Sequence, residues 1–169
     1  LTWQLGQENA LDQGRPSGYC PGSCDNTDLG GHIVPTLPWT VPSAPGGTTS
    51  ALVMASRFEV RSLKDVPRFF VKSLSAWRQV KSAPGCLGAS LVARPFKRTF
   101  LTLSAWDNRG SLMTFNSTDP HRGIVTAMRP TMKTSTFVFW NVGVGDLPIT
   151  WAEAEHRIAE KAATQPDDA

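Results

Sequence analysis

The sequence predicts an α+β domain of β-α-β-β-α-β order, followed by one more helix. Three observations carry this prediction. Alternating apolar residues near 52–60 and 134–142 read as half-buried strands. An apolar stripe in three- and four-residue steps from Val66 to Val80 reads as a helix. Turn clusters at Pro84-Gly85, Pro95-Phe96-Lys97 and Asp107-Asn108-Arg109-Gly110 separate the elements. The chain has 169 residues, 40% hydrophobic and 18% charged, which suits one globular domain.

The elements follow in order. Leu52, Met54, Ser56, Phe58 and Val60 alternate with Val53, Ala55, Arg57 and Glu59, giving a strand with one strongly apolar face. Ser62 caps the helix that follows, with Asp65 three places on and Pro67 in its first turns. Val66, Phe69, Phe70, Leu74, Trp77 and Val80 form its apolar stripe, and Pro84-Gly85 ends it. Cys86 to Arg94 is a second strand, weakened by Gly88, and Cys86 reads as a small buried apolar residue. Arg98 to Trp106 is a third strand, rich in Thr, Phe and Leu. A helix starts near Ser111 with Leu112, Met113 and Phe115. Thr118-Asp119-Pro120 interrupts it, and His121 to Met128 continues it. Thr134 to Val142 is the fourth strand. Thr150-Trp151-Ala152-Glu153 is a capping box that opens a last helix to about Ala163.

This order is the split βαβ, ferredoxin-like arrangement, with two helices on one face of a four-stranded antiparallel sheet. The other face carries apolar and aromatic residues and needs a cover. A second copy, sheet against sheet in a two-fold homodimer, is the expected cover. The domain is expected over residues 50–163, with a polar tail at 164–169. Residues 1–49 form a Gly- and Pro-rich arm without periodicity. The arm contains Trp3, Ile33, Val34, Leu37, Trp39 and Val41. Part of it, around 32–42, is expected to lie across the domain or a partner subunit, against the alternative of a loose leader.

Composition excludes several classes. No apolar run approaches ~18 residues, so no membrane span is expected. Leu1 to Ala10 have no basic start and no apolar stretch, so no signal peptide is expected. The net charge of +3 comes without a basic stripe or nucleic-acid motif, so nucleic acid is not an expected partner. Cys20 and Cys24 have the spacing of a small disulfide loop, with two free thiols as the alternative. A cytoplasmic location is expected, with export left open by that pair. A zinc site from Cys20, Cys24 and His32 lacks an evident fourth ligand. The chain has no Gly-x-Ser-x-Gly elbow, no phosphate-binding glycine loop and no His-x-x-x-His pair.

Residues 50–163 resemble the dimeric α+β barrel superfamily, and within it the antibiotic-biosynthesis-monooxygenase-like proteins. The resemblance rests on Ser56-Arg57-Phe58, Ala83-Pro84-Gly85, Leu101 to Trp106, Ser111 to Phe115, Pro120-His121-Arg122 and Phe139-Trp140. A weaker likeness, through Val92-Ala93-Arg94-Pro95, is to spheroidene-monooxygenase-type proteins. The resemblance implies a pocket between helices and sheet and a monooxygenase-like oxidation of a hydrophobic or aromatic small molecule, as in secondary metabolism. It leaves an isomerase or cyclase, or a non-catalytic binding dimer, as alternatives. Haem-degrading members place Asn, Trp and a ligating His where this chain has Ser56, Phe115 and Val125. The expectation is therefore no resident cofactor, with haem, ligated by a residue such as His121, as the alternative.

Candidate site residues follow from side-chain chemistry. His121 is suited to acid, base or ligand work near neutral pH. Arg122 suits a carboxylate or enolate, or a plain surface ion pair. Trp106, Trp140, Trp77 and Phe115 suit a flat pocket or the core. Ser56, Ser104 and Thr102 offer hydroxyls. Arg57, a charge in mid-strand, must find a partner or water and serves the pocket or an interface. His156 reads as a solvated helix residue.

Overall fold

The structure is a computed structural model and describes residues 35–41 and 46–164. The expectations for Cys20, Cys24, His32 and the tail beyond residue 164 lie outside the described residues.

A five-stranded sheet forms the centre, in the order β1-β3-β4-β2-β5. Its strands are β1 (Thr36–Thr40), β2 (Ser50–Val60), β3 (Cys86–Arg94), β4 (Thr99–Trp106) and β5 (Met132–Gly143). All four pairings are antiparallel. The helices are α1 (Val66–Val80), α2 (Arg109–Ser117), α3 (His121–Met128) and α4 (Trp151–Thr164). The predicted α+β, ferredoxin-like architecture is present, with one strand more than expected.

Local chemistry sets the boundaries. Ser62 Oγ accepts from the Lys64 N–H, capping a short 3-10 turn before α1. Gly85 has φ of 77°, and a Cβ there would run into Asp107 and Ser111. Glycine alone fits this turn. Asn108 accepts from the Ser111 N–H at 3.0 Å, so α2 begins two residues earlier than Ser111. Thr150 Oγ1 accepts from the Glu153 N–H at 3.2 Å and caps α4.

The extra strand comes from the Gly/Pro-rich arm. Thr36–Thr40 pair with β3 at the sheet edge. Trp39 packs over Gly88, where a Cβ would fall inside the indole ring. Ser90 Oγ donates to the Leu37 carbonyl at 2.8 Å.

Strand alternation divides the core into two layers. On one face Phe58, Phe100, Phe69, Leu91 and Met128 gather beneath α1 and α3. Trp106, Leu112 and Phe115 gather beneath α2. On the other face Val53, Ala55, Leu101, Leu103 and Ala105 pack against Ala154 and Ile158 of α4. The second face is thus covered by the chain's own last helix. The sequence reading had given this role to a second copy. Residues 151, 154, 155 and 158 recur at helical spacing. Their contacts anchor α4: the Trp151 indole N–H donates to Ser90 Oγ at 3.1 Å, and Arg94 and Glu155 form a two-bond ion pair at 2.8 and 3.0 Å.

Candidate active site

A cavity of about 120 Å³ lies between α1, α2, α3 and the sheet. Phe58, Phe69, Trp77, Phe115, Val125 and Met128 are the larger apolar residues of one part of its wall. Thr102 and Ser104 face it from β4, and Ser73 from α1. Ser73 Oγ already donates to the Phe69 carbonyl. Thr102 shares a hydrogen bond with Ser56. Ser104 accepts the Trp106 indole N–H at 3.0 Å. Lys72, an exposed residue of α1, is the only charged lining group among the described residues.

The predicted site residues separate into four places. Trp77 and Phe115 line the cavity. Ser56 is fully buried and acts on the cavity only through Thr102. Trp106 is fully buried under α2, with its ring 5.2 Å from Phe115. The His121 ring lies 4.5 Å from the Phe115 ring, tilted by 41°, and does not line the cavity. Its backbone N–H donates to Gln79 Oε1 at 2.8 Å, while its buried Nδ1 has no partner. Burial pushes its pKa below the ordinary histidine value, and the Asn116 backbone opposes this.

Arg122 points to solvent and pairs with Asp119 at 2.9 Å, the surface ion pair weighed above. Trp140 lies on the opposite face of the sheet, because it pairs with Val53 beneath α4. The Arg157 guanidinium sits 4.8 Å from its ring centroid. Arg57 also projects to that face and is exposed. The structure therefore does not bring His121, Arg122, Trp140 or Arg57 to the cavity. His156 is exposed beside Glu160.

Haem does not fit this site. A cavity of about 120 Å³ is close to the ~150 Å³ void that encloses one benzene ring in another protein. Val125 lines it where the resemblance to haem-degrading proteins would place a ligating His, and His121 does not line it. Among the described residues no three His, Cys, Asp or Glu side chains gather as metal ligands.

Sequence reasoning missed Lys72, because a lone lysine on a helix reads as a solvated charge. Its signal was the spacing to Phe69 and Ala76, which places it beside the apolar stripe.

Known structures share this fold. A proposed monooxygenase from Fusobacterium nucleatum superposes with a TM-score of 0.53 at 9% identity, over 65% of this chain and 53% of that one. A proposed antibiotic biosynthesis monooxygenase from Nitrosomonas europaea gives 0.51 at 13% identity, over 59% and 94%. A proposed monooxygenase from Lactobacillus acidophilus gives 0.50 at 11% identity, over 56% and 45%. The chain thus spans about half the length of the Fusobacterium and Lactobacillus proteins. No protein-family profile and no curated protein matches it. The fold is that of the antibiotic-biosynthesis-monooxygenase-like proteins, as the sequence resemblance implied.

Proposed function

We propose that the chain is a monooxygenase-like enzyme acting on a small phenol or hydroquinone held in the α1–α3 cavity. The observation that carries this reading is the cavity itself: one aromatic ring in size, apolar, with a single cation at its edge. No carboxylate or imidazole lines it among the described residues. The substrate must therefore supply its own acidic hydroxyl, and Lys72 stabilises the anion. An ionised hydroquinone is a strong enough reductant to pass one electron to dioxygen, and the resulting radical pair joins at a ring carbon. Protonation of the adduct and loss of water leave a quinone, so one dioxygen is consumed and one water released. No resident cofactor is required.

A non-catalytic binding protein is the second reading, and the lack of a lining base favours it. Oxygen uptake with a panel of phenols and hydroquinones separates the two. The enzyme reading predicts protein-dependent uptake that falls at least tenfold in Lys72→Met. Tight binding with no uptake across the panel supports the binder and refutes the enzyme.

The homodimer stays within this proposal on a different surface. The outer edge of β5 has no neighbouring strand among the described residues, and Phe139 on it is 45% exposed. Such an edge is suited to pairing with a second copy.

A further inference from the structure

We infer that a groove on the α4 face of the sheet binds a small organic dianion, a phosphate monoester or a dicarboxylate, through Arg57. The groove has a volume of about 370 Å³ and is framed by Arg57, Glu59, Arg94, Lys97 and Glu155. Leu101, Ile158 and Ala159 provide an apolar wall. At roughly 30 Å³ per water this space exceeds ten waters, enough for a small phosphorylated or dicarboxylic molecule.

Strand register builds the site. Arg57 stands opposite Leu101, and Glu59 opposite Thr99. Thr99 stands in turn opposite Arg94. These side chains therefore form one row across three strands on one face. Ser56 and Phe58, the neighbours of Arg57, point to the other face. The groove and the cavity are separated by the sheet, so a ligand in one does not touch the other.

The charges leave one group unmatched. Glu155 is held by the two-bond pair with Arg94. Glu59 is flanked by Lys133 at 3.2 Å and Arg98 at 3.8 Å. Both carboxylates in the groove are thus engaged. Arg57 makes no ion pair or hydrogen bond with the described residues, and its guanidinium fork is free for an outside anion. Arg57, Arg94, Arg98 and Lys133 thus set four cations against the two carboxylates Glu59 and Glu155.

The test is an NMR titration of the full chain with phenyl phosphate and, separately, with succinate, at constant ionic strength. Sodium chloride serves as the control anion. Saturable shifts at the Arg57 side chain and the Glu59 and Thr99 amides are expected with at least one probe. Affinity should fall at least tenfold in Arg57→Gln and recover in part in Arg57→Lys. Saturation by phenyl phosphate alone assigns a phosphate ligand, by succinate alone a dicarboxylate, and by both a site selective for charge. Linear shifts equal to those of chloride, or unchanged affinity in Arg57→Gln, would overturn the inference.

Discussion

Replacing Gly88 with alanine should release the edge strand. A Cβ at this position falls inside the Trp39 ring. The indole must move out. If it gives up roughly 100 Å² of apolar contact at about 25 cal/mol per Å², the loss is about 2.5 kcal/mol. Loosening of β1 also weakens the Ser90–Leu37 hydrogen bond, worth a further ~0.5–1 kcal/mol. The expected cost is therefore about 3 kcal/mol, or a fall in Tm of roughly 6–12 °C. Trp39→Ala alone should cost about 2.5 kcal/mol by the same area argument. In that background Gly88→Ala meets no ring and should cost almost nothing, so the two changes couple by about 3 kcal/mol. Urea denaturation of the two single variants and the double variant measures this. A Gly88→Ala cost below about 1 kcal/mol, or simple additivity, would refute the Trp39 latch.

Other consequences are equally direct. The folded chain disfavours protonation of His121. Its contribution to stability is therefore complete above the ordinary value of 6.5 and is lost as pH falls below it. Urea midpoints at pH 8 and pH 5.5 should differ less in His121→Gln than in the parent chain, and an equal difference would remove His121 as the cause. Burial raises the Cys86 thiol to about 11, so it should resist a thiol reagent at pH 8 and react only on unfolding; prompt reaction in the native state would contradict its place in the core. Light scattering should report a dimer that Phe139→Lys dissociates, whereas a parent chain that is monomeric at high concentration would sink the β5 edge as a dimer surface.

Much of the fold was legible because periodicity is a local signal. The stripe from Val66 to Val80, the alternation of β2 and the Thr150 cap each specify an element without help from distant residues. The strand β1 was hidden for the opposite reason. Its five residues include Pro38 and follow a run of Gly and Pro, and only the gap over Gly88 gives Trp39 a place. The packing of α4 was hidden too. Its cap marks the helix, but nothing near residue 151 tells which sheet face it will cover.

The site was legible in part. Trp77 and Phe115 follow from helix stripes, and both reach the cavity. Trp140 and Arg57 do not, because strand pairing decides which parity faces the helices. His121 follows a helix break beside Phe115, and a ring packed against a wall residue has the same sequence signature as one within the cavity.

The central claim is that the α1–α3 cavity takes one aromatic ring. Calorimetric titration with hydroquinone under anaerobic conditions tests it most directly, comparing the parent chain with Ala76→Phe, which fills the cavity from α1. The account predicts one-to-one binding in the parent, and binding at least tenfold weaker in the variant with its fold retained. Equal binding by both chains would contradict it.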